Sequence, residues 1–66
     1  MKSSIVYRDY VVEVYETKED YRYSIQKKGT IIAESAIGFP FPDEAEIQAK
    51  MFVDRLIGNK NGWMVS

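Results

Sequence analysis

Apolar and polar residues alternate along residues 21–26 and again along residues 30–35, with Lys-Lys-Gly at residues 27–29 between the two runs. A period of two is typical of strands that bury one face, and a glycine between two such runs indicates a hairpin. A third alternating run lies at residues 5–16, and residues 17–20 connect it to the next. The pattern predicts an antiparallel meander of three strands.

Counting outward from the four-residue loop gives a register in which the two inner faces are apolar and the two outer faces mostly polar. The predicted pairs are Glu16 with Tyr21, Tyr15 with Arg22, Val14 with Tyr23, Glu13 with Ser24, Val12 with Ile25 and Val11 with Gln26.

For the second hairpin, a three-residue loop with Gly29 in the left-handed position of a bulged turn is expected. The pairs predicted from it are Ile25 with Ile31, Tyr23 with Ala33, and Arg22 with Glu34. A register shifted by one residue would bury Glu34 beside Tyr23. Since an unpaired buried carboxylate is costly, that alternative is excluded.

The period changes to 3.6 after Pro42, which predicts a helix over residues 43–57 and a tail over residues 58–66. Asp43 is expected to cap the helix, with Glu46 completing a capping box. Gly58 is expected to end it. The predicted core face consists of Ala45, Ala49, Phe52, Val53 and Leu56. The fold class is therefore α+β: residues 1–66 form one domain, a β-β-β-α meander with its single C-terminal helix packed on one face.

The chain contains no cysteine and no histidine among its 66 residues. Disulfides, thiolate metal sites and histidine-based acid–base chemistry are thereby excluded. The cluster of Asp43, Glu44 and Glu46 is interpreted as a charged helix start rather than a metal site. We expect no enzymatic activity, no cofactor and no bound metal.

Nine basic residues stand against ten acidic ones, and this balance argues against nucleic acid as a partner. Because the chain has neither a run of apolar residues long enough to cross a bilayer nor a signal-peptide pattern, a cytoplasmic protein is expected. A chain of this length buries only about 60% of its unfolded surface. Association into a homodimer would increase the buried surface, while a monomer with a well-packed core remains the alternative.

The predicted hairpin and helix share a pattern of aromatic, aliphatic and small residues at Tyr21, Tyr23, Ile25, Gly29, Ile31, Ile32, Ala33, Ser35, Gly38, Phe39, Glu44, Ala45, Phe52 and Val53. Through these positions, residues 21–53 resemble a family of small bacterial domains of unknown function. In that family a Gly-x-x-Ile-x-x-Ser signature leads from a hairpin into a short alanine-rich helix. The resemblance implies the fold and no site residues. The predicted strand order is also similar to that of DNA-binding domains that read the major groove with a three-stranded sheet, an analogy of fold alone.

Several apolar residues lie where solvent-facing positions are expected. Ile47 and Met51 are one turn apart on the helix side opposite the core, where Phe41 or the tail could cover them. Phe39 and Phe41 alternate with two prolines in a stiff loop and either close the end of the core or bind a partner. The same choice exists for Trp63. Tyr15 is the aromatic residue of the open sheet face.

These residues lead us to predict a protein-interaction module that binds another protein or a second copy of itself. The predicted contact residues are Ile47, Met51, Phe39, Phe41, Trp63 and Tyr15. One alternative is a nucleic-acid-binding accessory protein that uses Arg22, Lys27 and Lys28 at the hairpin end. Another is a small inhibitor encoded by a phage or mobile element.

Overall fold

A computed structural model describes the chain from residue 2 to residue 61, with side chains described to residue 58. Its elements are β1 (Lys2–Tyr7), β2 (Tyr10–Glu16), β3 (Tyr21–Lys27), β4 (Thr30–Glu34) and α1 (Pro42–Asn61). The strands form one antiparallel sheet in the order β1-β2-β3-β4, and α1 packs across β2 and β3. The α+β class and the C-terminal helix on one face are confirmed, but the prediction of three strands is wrong.

The additional strand arises because the predicted first strand is a hairpin. Arg8 and Asp9 both have positive φ angles, of 51° and 76°, and Tyr7 pairs directly with Tyr10. Two consecutive left-handed residues form the tight turn whose twist matches that of the flanking strands. The turn also changes which residues face the core, because odd-numbered Ile5 lies on the same face as even-numbered Tyr10.

The register between β2 and β3 is confirmed at all the predicted positions, from Val11 opposite Gln26 to Glu16 opposite Tyr21. Apolar inner faces on both strands specify it, since a shift by one residue would turn every side chain to the other face.

The predicted register between β3 and β4 is wrong. Lys28 adopts a φ of 54° beside Gly29 at 81°, so the turn has two residues rather than three, and Lys27 pairs with Thr30. A bulge in β4 then restores the inward face. The observed pairs are Lys27 with Thr30, Gln26 with Ile31, Ile25 with Ala33 and Ser24 with Glu34. Ile31 is consequently 53% exposed rather than part of the core, while Glu34 is exposed as expected.

Helix α1 begins one residue before the predicted start and continues through Gly58 to Asn61. Pro42 occupies its first position, where a missing N–H costs nothing. The carbonyl of Phe41 accepts the N–H of Ala45 at 3.3 Å, so Phe41 is the N-cap residue. The predicted capping box of Asp43 and Glu46 is therefore wrong, because Asp43 lies within the first turn of the helix. The predicted end at Gly58 is wrong, because a glycine lowers helix stability but does not by itself end a helix.

The core lies in a single layer between the sheet and α1. Its buried side chains come from β2, β3 and α1, and they are Tyr10, Val12, Val14, Tyr23, Ile25, Ala45, Ala49 and Val53. The alanines at positions 45 and 49 are fully buried and bring the helix backbone close to the sheet. Phe52 and Leu56 pack against this layer as predicted, each only partly buried.

Candidate interaction surfaces

Two of the predicted contact residues form an apolar strip on the outer side of α1. Ile47 and Met51 are 55% and 47% exposed, while Ala45 and Ala49 on the opposite side are fully buried. We call Ile47 and Met51 the helix-back patch. Phe41, at the start of the helix, is itself 65% exposed and does not cover it. Trp63, the other predicted cover, lies outside the described residues.

The polar border of the helix-back patch includes a contact between α1 and the first turn. The guanidinium of Arg8 donates to Asp54 Oδ1 at 2.7 Å, and the Tyr7 hydroxyl donates to the same oxygen at 2.9 Å. The hydrogen bond from Arg8, followed by that from Tyr7, holds the pKa of Asp54 below its ordinary value. Asp54 therefore fastens the helix to the first hairpin, a role that depends on a turn the sequence pattern did not reveal.

Of its two predicted roles, closing the end of the core or binding a partner, Phe39 has the first. Its backbone exchanges two hydrogen bonds with Tyr21, both of 2.8 Å, and its ring stacks on Tyr23 with the centroids 6.2 Å apart. Since it is partly buried against the core, Phe39 closes the end of the layer. Of the two loop phenylalanines, only Phe41 is presented to solvent.

The loop that carries Phe39 is fitted closely to the β2–β3 loop. A Cβ placed on Gly38 would overlap the carboxylate of Asp20. That carboxylate accepts hydrogen bonds from the hydroxyl of Thr17 at 2.6 Å and from Arg22 Nε at 3.3 Å. The Thr17 hydroxyl is the main reason that the pKa of Asp20 is lowered, and Arg22 adds to it.

Tyr15 and Arg22 lie side by side on the open sheet face, as predicted. They border an open groove of about 340 Å³ whose other lining residues belong to the β2–β3 loop. Arg22 is engaged by Asp20. The Asp20 carboxylate in this groove is already bonded to Thr17 and Arg22, so these polar contacts hold the loop together.

The structure does not bring together the residues of the nucleic-acid alternative. Lys27 and Lys28 lie at the β3–β4 turn, while Arg22 lies near the opposite end of β3, about 17 Å along an extended strand. The Lys27 ammonium sits 4.6 Å from the centre of the Tyr10 ring. With Arg22 paired to Asp20, no shared basic face connects these three residues.

A row of three apolar residues and one glutamine on the open sheet face was not predicted from the sequence. The strand register aligns Val6, Val11, Gln26 and Ile31 across all four strands, and we call them the open-face row. Val6 is 76% exposed. The sequence signal was that the apolar positions change from odd-numbered at Ile5 to even-numbered at Tyr10. A hairpin turn between these two residues explains the change and places Val6 on the outer face.

Comparisons with protein-family models, with curated proteins and with solved structures find no match to this chain. The resemblance over residues 21–53 therefore stays a prediction. Within residues 2–61, no cluster of acidic side chains is arranged to hold a metal ion. No helix in the described part of the chain is long and apolar enough to cross a membrane.

Proposed function

We propose that this chain is a non-enzymatic protein-interaction module that binds another protein through the helix-back patch and also self-associates. The supporting observation is the exposure of Ile47 and Met51, one turn apart on α1. Solvent-facing helix positions usually carry polar side chains, and adjacent exposed apolar residues with a polar rim are typical of binding surfaces.

The surroundings of the patch are those of a small protein-binding surface. Glu46 and Lys50 form an ion pair of 3.0 Å along one side, and Gln48 and Arg55 are exposed on the other. A polar rim around an apolar centre excludes water from the contact once a partner is bound. The unbranched side chain of Met51 adapts to partners of different shape. Phe41 would extend the contact beyond the first turn of the helix.

The two described carboxylates whose pKa is shifted are not suited to act as general acids. Asp20 and Asp54 both have a lowered pKa, caused by neighbouring donors. A catalytic acid at neutral pH needs the opposite shift. A cytoplasmic location is part of the proposal, and a cysteine-free sequence is compatible with it.

Met51→Asp tests the helix-back patch. A carboxylate buried unpaired in an apolar contact should weaken partner binding at least tenfold, about 1.4 kcal/mol, without unfolding the exposed side of α1. The wild-type chain serves as bait in its native cell, and each recovered partner is then titrated against the wild type and the variant by calorimetry.

Thr30→Asp is the matched control, since it adds the same charge at an exposed polar position of β4, outside the helix-back patch and its rim. Partners that bind the wild type and Thr30→Asp equally, and Met51→Asp much more weakly, would support the proposal. Equal affinity for all three chains would contradict the role of the helix-back patch. A mass of 7.7 kDa at every concentration would contradict self-association.

A further inference from the structure

The two edges of the sheet differ in how well they are protected against pairing with another strand. β4 has five residues, contains a bulge and ends in Glu34. Bulges, short lengths and charges are the usual means by which proteins protect a sheet edge. β1 pairs with β2 through six consecutive positions without a bulge, and its one charged residue, Lys2, stands at its start.

The backbone of β1 presents free hydrogen-bonding groups along its outer side. A two-residue turn makes Tyr7 and Tyr10 a hydrogen-bonded pair, and such pairs alternate with non-bonded ones along an antiparallel ladder. The N–H and C=O groups of Lys2, Ser4 and Val6 therefore point away from β2. No described strand lies on that side. The extended backbone of another strand can form hydrogen bonds with these N–H and C=O groups.

The inner face of β1 is also incompletely covered. Helix α1 packs across β2 and β3, so Ile5 and Tyr7 contact the core from its margin and remain only partly buried. A strand added beside β1 would bury these two side chains further. The open-face row offers no comparable site, because Glu13 and Glu34 lie in the adjacent row and a partner sheet would have to bury both carboxylates.

From these observations we infer that β1 is the self-association edge and pairs antiparallel with β1 of a second copy, which joins the two sheets into one of eight strands. The inference deepens the proposed function and rests on its self-association. A two-fold axis at Ile5 places that residue against Ile5 of the second copy and Tyr7 against Ser3 of the second copy. Ser4 and Val6 then exchange about four backbone hydrogen bonds with their counterparts.

The identity of the occupant follows from the side chains of the strand. Residues 3–7 are uncharged, so no like charges lie opposite each other within the paired segment. Just beyond it, Lys2 comes next to Arg8 of the second copy, whose guanidinium is already paired with Asp54. The symmetric register brings together the two isoleucines that the helix leaves partly covered. A contact between two short strands buries less than the roughly 800 Å² per partner of a standard interface. The association is therefore weak, and the measured mass increases with protein concentration.

Ser4→Pro tests this edge directly. Proline removes the N–H of residue 4, which points outward, so the ladder between β1 and β2 keeps its bonds. Sedimentation over a wide range of concentrations should show the wild type approaching twice its 7.7 kDa mass and Ser4→Pro remaining at that of one chain. Circular dichroism checks the fold of the variant.

Ser4→Lys provides a second variant that needs no change in backbone geometry, and it should also remain monomeric. Ile31→Lys is the matched control on β4, at an exposed position of the opposite edge, and should dimerise like the wild type. In the wild-type dimer the amide protons of Ser4 and Val6 should exchange more slowly as concentration increases.

The outcomes separate the inference from the function on which it rests. A dimer that persists in both Ser4 variants would overturn pairing through β1 while self-association stands. If Met51→Asp abolishes that dimer, the helix-back patch forms it. A wild-type chain that stays monomeric at every concentration would overturn both.

Discussion

Gly38 is the residue at which a single methyl group would do most damage to the loop packing. The added Cβ would overlap the Asp20 carboxylate and lie 2.7 Å from Asp20 Cβ, so the whole aspartate side chain would have to move. Its hydrogen bonds with Thr17 and Arg22 would break as it did so.

We expect Gly38→Ala to lower the free energy of unfolding by about 1–3 kcal/mol, measured by urea denaturation. Gly58→Ala is the control, because a Cβ at that position meets no atom within 4 Å. It should raise stability by roughly 0.5–1 kcal/mol, the difference in helix propensity. Equal effects of the two substitutions would show that the Asp20 contact does not constrain Gly38.

The conformation of a single residue explains why the register between β3 and β4 could not be predicted from the sequence. Lys28 has a left-handed conformation that lysine rarely adopts. The residue type at position 28 therefore does not indicate a two-residue turn. Once that turn was missed, every predicted pair between β3 and β4 was wrong. The β2–β3 register, by contrast, depends on several alternating apolar residues, and no single conformational choice could displace it.

Among the elements, the β3–β4 hairpin would be more stable with a residue better suited than lysine to the left-handed conformation at position 28. A left-handed backbone costs an ordinary residue roughly 1–2 kcal/mol, whereas asparagine tolerates it and is favoured before glycine in this turn. Lys28→Asn should therefore raise the midpoint of urea unfolding, with a gain of about 0.5–1 kcal/mol. Lys18→Asn removes the same charge from an exposed loop residue without positive φ and should have little effect.

The contact between α1 and the first hairpin makes stability depend on pH. The pKa of Asp54 is lowered in the folded chain, so its contribution is present above the pKa of the unfolded state. It is lost as the pH falls through the folded value. Wild-type stability should decrease on acidification over this range, and Asp54→Asn should lose less, as followed by urea denaturation at several pH values.

Glu19→Gln supplies the matched control, since it neutralises an exposed carboxylate of the β2–β3 loop. It should keep the acid sensitivity of the wild type. Asp20, whose pKa is also lowered, contributes equally in all three chains. If Asp54→Asn followed the wild-type profile at every pH, the ion pair with Arg8 would contribute nothing to stability.

The elements show why the candidate surfaces were only partly predictable. Helical periodicity sufficed to place Ile47 and Met51 opposite the core, because the spacing of Ala45, Ala49 and Val53 fixes the orientation of the helix. The β1 edge could not be found in that way. The alternation over residues 5–16 predicts a single strand, whereas the edge is formed by residues 2–7 once a turn at Arg8 and Asp9 divides that run.

In the molecule as a whole, the helix-covered core spans only the two central strands, and the two edge strands β1 and β4 lie beside it. The helix covers β2 and β3, and exposed apolar side chains lie on the back of the helix, on the outer strands and in the loop before α1. A chain this small cannot enclose all of its apolar residues. The helix-back patch and the partly covered side chains of β1 are the parts of this surplus that we propose are buried by partners.

The meander itself has a consequence for how the chain folds. Every strand pairs with its neighbour in sequence, so each hairpin closes over a short loop before the next strand is needed. Such local connectivity is associated with rapid folding. The helix follows all four strands along the chain, and until it docks, the apolar side of the newly formed sheet is open to water. During synthesis, the interval before α1 leaves the ribosome is therefore when this chain is most exposed to aggregation.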